Sequence, residues 1–253
     1  MKILVLGSGF IGKPLATHLS ADTTTLRLNE LTEAFLAPYD VVINAAARTN
    51  IDWCEKHREE TFDTNVIQAV RIAKLVKGKY VFFSSGCIFK SENVSDVMYE
   101  DSIPNPQCFY TYTKLMAEQL LEETSPKTLI IRPRLLISRY SHPRNTINKL
   151  LGYTEVITSQ ESCTVLEDLM AKIKELIDKD AWGAFNIFNS GTVSPDQIMD
   201  VFHHPHKKIT KRDLDELTRG KARRVSTVLG TKRTDTLPDI RERIIEIAHH
   251  WGK

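Results

Sequence analysis

Tyr110 and Lys114 stand four positions apart, about one helical turn, and Ser85 lies upstream of both. A phenol, an ammonium and a hydroxyl in this arrangement can surround one carbonyl carbon. Tyrosine is a weak acid, with an ordinary pKa of about 10. A lysine cation beside it favours the phenolate and lowers that value. The pair can then hand a proton to an oxyanion as hydride reaches the carbon. Alone, the spacing equally describes an exposed pair on any helix, and Ser85 equally describes a serine closing a turn. Their position behind a glycine loop and a serine-ending strand favours chemistry. Cys87 follows two residues after Ser85. Beside a cation its thiol can act as an acid or base, whereas an inert buried thiol is the more frequent case.

The glycine loop is Gly7-Ser8-Gly9-Phe10-Ile11-Gly12. It lies between a short apolar run, Ile3 to Leu6, and a helical stretch, Ile11 to Leu19. Strand, GxGxxG and helix in succession form the dinucleotide fingerprint. The first glycine permits the turn, the second admits a pyrophosphate and the third allows close helix packing. Free N–H groups at the helix start then favour the phosphates. Sites selective for NAD carry an acid at the end of the second strand. Here that stretch reads Leu26-Arg27-Leu28-Asn29. Arg27 suits the extra phosphate of NADPH, so NADPH is the expected cofactor, with NADH as the alternative. Ala45-Ala46-Ala47, after the apolar run Val41 to Asn44, would let the backbone pass close to a flat ligand, or simply pack tightly.

These residues need a frame. Further strands are expected at Thr23 to Leu28, Tyr80 to Ser84 and Thr128 to Arg132. Helices are expected at Glu59 to Lys77 and Tyr110 to Glu123. Alternating strands and helices predict an α/β fold, a Rossmann-like, doubly wound parallel sheet. A smaller C-terminal substrate lobe completes it. Residues 1–135 are assigned to the NADP-binding domain and 136–253 mainly to the substrate lobe, with later segments returning to the sheet. In that later part Val165 to Asp178 and Ile240 to His250 have helical spacing, and Phe185 to Phe188 reads as a strand.

Composition narrows the class. The 253 residues carry a formal net charge of +2, which points to no nucleic acid and no membrane surface. Four cysteines form no CxxC pair and read as reduced thiols of a cytoplasmic protein. No apolar run approaches the ~20 residues of a membrane span, and Ile3 to Leu6 is too short for a signal peptide. His203, His204 and His206 are interrupted by Pro205 and lack companion ligands, so no metal is expected. The basic stretches His206 to Arg212 and Arg219 to Arg224 suit solvent or a nucleotide-sugar diphosphate.

More specific segments are Asn50-Ile51-Asp52-Trp53-Cys54-Glu55, Thr64-Asn65-Val66, Gly86-Cys87-Ile88-Phe89 and Pro143-Arg144-Asn145-Thr146-Ile147-Asn148-Lys149. With Phe109-Tyr110, Thr113-Lys114 and Phe185-Asn186, they resemble the extended short-chain dehydrogenase/reductases. The resemblance lies within the dTDP-4-dehydrorhamnose reductase branch. It is closest to the plant-type bifunctional 3,5-epimerase/4-reductases of nucleotide-rhamnose synthesis, and it runs over nearly the whole chain. It implies a reductase triad of Ser85, Tyr110 and Lys114. It implies an epimerase acid–base pair of Cys87 and Lys149, and a cofactor-side network containing Asn65. Cys87, Asn145, Lys149 and Arg224 are implied on the substrate side, with Arg224 facing the diphosphate. Without the resemblance, Lys149 would read as an ordinary surface lysine. Arg48-Thr49, the short stretch Lys90 to Glu100 and Ser226-Thr227 depart from the family pattern.

The implied reaction converts a UDP- or dTDP-4-keto-6-deoxyglucose to the nucleotide-L-rhamnose by inversion at carbons 3 and 5 and reduction at carbon 4. A separate 4,6-dehydratase would supply the substrate, and a homodimer is the assembly expected from the superfamily. Two alternatives stand beside it. One is a 4-reductase served by a separate epimerase. The other is a non-catalytic, dinucleotide-binding regulatory subunit, as in the beta subunit of methionine adenosyltransferase, because fold does not fix function.

Overall fold

The protein was studied as a computed structural model, which describes residues 1–251. Its elements run β1 (Ile3–Leu6), α1 (Gly12–His18), β2 (Asp22–Thr23), α2 (Glu33–Leu36), β3 (Val41–Asn44), α3 (Ile51–Lys56), α4 (Arg58–Phe62), α5 (Gln68–Leu75) and β4 (Lys79–Phe83). They continue with β5 (Val97–Met98), α6 (Phe109–Thr124), β6 (Leu129–Pro133), β7 (Leu136–Ile137), α7 (Thr146–Leu150), β8 (Glu155–Ile157), β9 (Thr164–Val165), α8 (Leu166–Asp178) and β10 (Gly183–Ile187). The chain closes with α9 (Pro195–Val201), β11 (Lys207–Ile209), α10 (Lys211–Leu217), β12 (Val228–Leu229) and α11 (Ile240–His250).

The short runs ILVL, VVIN and LIIRP are buried along their whole length, as strands covered on both faces must be. They form a six-stranded sheet in the order β2-β1-β3-β4-β6-β10. Every pairing in it is parallel. Alternate residues face opposite sides. Val5, Ile43, Val81 and Ile131 pack with Leu15 of α1 and with Leu169, Ile173 and Leu176 of α8. Leu4, Val42, Phe82 and Ile130 pack with Ala69 and Ile72 of α5 and with Ala117 and Leu121 of α6. Helices therefore cover both faces, and the sheet is doubly wound. α8 and β10, late in the chain, belong to this sheet layer. A separate apolar cluster joins Ile147 and Leu150 of α7, Ile198 of α9, and Ile240, Ile244 and Ile247 of α11.

Two expectations change. The second strand is only Asp22–Thr23, not Thr23 to Leu28. It is exposed and has β1 as its single partner. The chain then turns through Leu28–Glu30, held by the Arg27 N–H donating to Glu30 Oε2 at 2.7 Å. The expected helix over Glu59 to Lys77 forms as a continuous helical run, Arg58 to Leu75, but not as a uniform α-helix. Between α4 and α5 the backbone widens into a π-helical stretch, Asp63–Ile67. Such widenings recur at functional sites.

Candidate active site

The sheet order reverses between β1 and β3, and a crevice at the carboxyl ends of strands opens at such a point. The loops after these two strands meet there. Gly7 has φ +93°, and a Cβ on it would lie 2.9 Å from the Ala46 backbone. A Cβ on Gly12 would lie 1.8 Å from the Gly7 carbonyl oxygen, so this position needs glycine for close packing. Gly9 differs, because a Cβ there would meet nothing within 4 Å. It faces open space, as the residue under a pyrophosphate should.

Phe10 and Ile11, expected at the cofactor, turn their side chains into the core and leave the loop only its backbone to offer. Ala45 likewise packs on the sheet. Ala46 and Ala47 line a cavity of about 600 Å³ with Arg27, Leu28, Asn29, Arg48, Asp63, Thr64 and Gln68. The exposed Arg27 lies on the turn after the second strand and lines this cavity, and Arg48 adds a second guanidinium. The donor set and the open cradle at Gly9 fit a phosphorylated dinucleotide.

Asn65, in the π-helical stretch, is buried and holds this cavity's wall. Its Oδ1 accepts from the Arg48 N–H at 2.8 Å, and its Nδ2 donates to Arg48 O at 3.0 Å and to Thr113 Oγ1 at 3.2 Å. The amide therefore clips the loop after β3 to α6. Its contribution to a cofactor site is to shape the wall, since its own atoms are spent.

β4 delivers Ser85, and α6 delivers Tyr110 and Lys114. A tight turn, Gly86–Ile88, carries Cys87, with the Cys87 N–H donating to Ser85 Oγ at 3.1 Å. Lys114 is buried and donates to Phe83 O at 2.8 Å. Burial pulls its amine from 10.5 to about 7, against the opposing charge of Glu118 one turn on. The Tyr110 phenol is raised, first by burial and then by the Cys87 sulfur, while Ser85 acts the other way. This corrects the expectation that Lys114 lowers the phenol. Desolvation acts on both groups, and the lysine nitrogen is engaged with Phe83. Ser84, the preceding residue, has a buried hydroxyl without a partner among the described residues.

Lys149 sits in the last turn of α7. Burial and then the Arg144 guanidinium lower its amine, while the Cys87 sulfur opposes them. Cys87 thus lies within electrostatic reach of both Tyr110 and Lys149. Asn145, expected at the substrate, is otherwise occupied. Its Oδ1 accepts from Ile147 N–H at 3.1 Å, and its Nδ2 donates to Ser138 O at 2.7 Å and Tyr140 O at 2.9 Å. It caps α7 and fixes the loop before it. Arg224, expected at a diphosphate, donates from Nη2 to Asp52 Oδ2 at 2.7 Å and from Nη1 to Asp52 Oδ1 at 3.0 Å. That pairing is the main cause holding the Asp52 carboxyl below its usual range.

Sequence reading missed Arg134. It is buried, and its Nη1 donates to Cys87 Sγ at 3.2 Å. Its Nη2 donates to Glu161 Oε2 at 2.5 Å and to Val225 O at 2.6 Å. The one available signal was an arginine in an otherwise apolar stretch after β6. The loop before α7 was also not anticipated as a bridge. His142 stacks on Phe10 with ring centres 4.9 Å apart, and Arg144 donates to Thr49. Among the three grouped histidines, His204 contacts Leu151 O at 2.6 Å and His206 contacts His204 O at 2.9 Å.

Known proteins share the family and the fold of this chain. The family described as RmlD substrate binding domain matches residues 1–238. A bifunctional dTDP-4-dehydrorhamnose 3,5-epimerase/dTDP-4-dehydrorhamnose reductase of Arabidopsis thaliana is 32% identical over 174 residues, 64% of this chain and 58% of that protein. A trifunctional UDP-glucose 4,6-dehydratase/UDP-4-keto-6-deoxy-D-glucose 3,5-epimerase/UDP-4-keto-L-rhamnose-reductase of the same plant is 33% identical over 64% of this chain and 26% of its own length. The chain therefore spans little more than half, or about a quarter, of these curated relatives. In fold it is similar to the L780 UDP-rhamnose synthase of Acanthamoeba polyphaga mimivirus, with TM-score 0.88, 22% identity and 99% of each chain covered. A dTDP-4-dehydrorhamnose reductase from Bacillus anthracis, solved with NADP, gives TM-score 0.80 at 21% identity, covering 98% of this chain and 99% of that one.

Proposed function

The chain belongs to the RmlD substrate-binding-domain family, and from that premise we propose that it is an NADPH-dependent 3,5-epimerase and 4-reductase of a nucleotide-linked 4-keto-6-deoxyglucose. The base is UDP or dTDP, and the product is the nucleotide-L-rhamnose. The observation that carries this reading is the convergence on one turn. Ser85, Cys87 and Tyr110 interact there, and Lys149 from another part of the chain feels the same sulfur.

The ketone at carbon 4 acidifies the protons on carbons 3 and 5. Ser85 and Tyr110 donate to its oxygen as negative charge grows there. Cys87 and Lys149, on opposite faces of the ring, remove a proton and return one from the other side. Burial and the Arg144 guanidinium lower the Lys149 amine, which favours the neutral form that can take a proton. No net oxidation accompanies these inversions. NADPH, when bound, supplies the hydride that reduces carbon 4. Tyr110 then gives its proton to the new alkoxide, and Lys114, titrating near neutrality, restores it.

Gly7, Gly9 and Gly12, the Ala46-Ala47 wall, Arg27 and Lys114 would hold the dinucleotide. We assign the sugar to Ser85, Cys87, Tyr110 and Lys149, and the rest of the sugar nucleotide mainly to residues after β6 that do not return to the sheet. A 4,6-dehydration must supply its ketone.

The test is to mix the protein with NADPH and the UDP or dTDP 4-keto sugar in deuterated water, following NADPH absorbance and the sugar by proton NMR. Rhamnose carrying deuterium at carbons 3 and 5 is the expected result. NADPH loss only after an epimerase is added would reduce the reading to a 4-reductase. Bound NADPH without turnover would point to the regulatory alternative. Tyr110→Phe should lower the reduction rate by about 10²–10⁴-fold.

A further inference from the structure

We propose that Arg134, anchored by Glu161, is the positioning residue that makes Cys87 the acid–base group of epimerisation. The inference rests on the epimerase reading above. Three observations carry it. Arg134 is 4% exposed, and its guanidinium reaches the Cys87 sulfur at 3.2 Å. The same guanidinium is fixed from behind, by Glu161 Oε2 at 2.5 Å and Val225 O at 2.6 Å. Its Nε is buried without a partner among the described residues, so the group is not satisfied as an ordinary structural arginine would be.

Burying such a charge is expensive, and a buried ion pair is seldom retained for stability alone. Here the carboxylate has its own anchor. Glu161 Oε2 also accepts from the Thr227 N–H at 3.1 Å, and its backbone pairs with Val193. Arg134 is thereby held as a fork with one tine on the sulfur. A guanidinium donor beside sulfur stabilises negative charge on it and fixes the direction of its lone pairs. The other groups facing Cys87 are the Lys149 ammonium, the Tyr110 phenol and the Cys108 thiol. Arg134 is the one permanent cation in hydrogen-bond contact with the sulfur among the described residues. In each inversion the thiol gives its proton to one face of the enolate and takes it back from solvent or Lys149. Arg134 carries no proton in this cycle and does not touch the sugar.

The experiment compares Arg134→Gln, Arg134→Lys and Glu161→Gln with the unaltered chain by two readouts. The first is the rate of iodoacetamide alkylation at Cys87 across pH 6–9, located by peptide mass mapping. The second is deuterium wash-in at carbons 3 and 5, set against reduction of a ketone that is already inverted. Arg134→Gln should slow Cys87 alkylation at neutral pH at least threefold and cut wash-in at least tenfold, with reduction within twofold. Arg134→Lys should restore part of both losses, and Glu161→Gln should fall between. An unchanged alkylation profile in any variant that retains the native circular dichroism spectrum would overturn the proposal. If the unaltered chain shows no wash-in, the epimerase reading fails, while the alkylation profile still decides whether Arg134 governs the sulfur. If Arg134→Gln does not fold, the Arg134→Lys and Glu161→Gln profiles decide.

Discussion

Lys114 sits in an environment far from its chemistry in water. Its folded-state value near 7 lies below the ordinary 10.5, so between those pH values the unfolded chain binds a proton that the folded chain does not. Stability from this group is fully present above about 10.5 and is lost as pH falls towards 7, at up to about 1.4 kcal/mol per pH unit. Lys114→Met should flatten that slope in urea unfolding curves measured across pH 7–10. A slope unchanged by the substitution would remove burial as the cause. The positions of Tyr110, Lys114 and Ser85 were legible because their spacing is local and their types are diagnostic. The direction of the Tyr110 shift was not, since it depends on burial created by distant segments. Arg134 was illegible for the same reason: its partners at Cys87, Glu161 and Val225 are separated from it along the chain. Lys149 was found through family resemblance, and no local pattern marks it.

At the scale of elements, the two glycines flanking the start of α1 should respond in opposite ways. Gly12→Ala would force a Cβ against the Gly7 carbonyl, so it should lower the melting temperature sharply or prevent folding. Gly9→Ala meets open space in the free protein and should leave stability nearly unchanged. Its effect belongs to the dinucleotide, and a fluorescence titration with NADPH should show weakened binding. Asn145→Ala should cost about 2–3 kcal/mol, because a helix cap is lost and two carbonyls are left without a donor. A loss under 0.5 kcal/mol would show that the loop before α7 repairs itself. The ends of α6 and α11 were readable from apolar spacing. The second strand was misread, and the helix across Asn65 was read without its π-helical turn. A threonine-rich stretch at a sheet edge has too little partner surface to hold a strand, and a side chain clipping a neighbouring loop can widen a helix in a way that periodicity does not reveal.

For the whole molecule, the alternation of strands and helices gave the layers. It did not give the strand order, with one short strand beyond β1 where the dinucleotide-binding order 3-2-1-4-5-6 has two. That leaves Arg27 on an open turn at the rim of the cavity, with Arg48 on its other side. Arg27→Asp should move the ratio of kcat/KM for NADPH over NADH towards NADH by about tenfold or more, the loss of one charge-assisted phosphate contact. An unmoved ratio would transfer that role to Arg48. The rim is also tied to the far side of the crevice. Phe10 of the glycine loop stacks on His142, and Arg144 reaches Thr49, so the loop that precedes α7 is fastened at both ends of the dinucleotide seat. Lys149 rides on that helix. Under the proposed function this strap is the physical link between the dinucleotide and the sugar nucleotide. Any free energy of coupling carried through it acts equally in both directions.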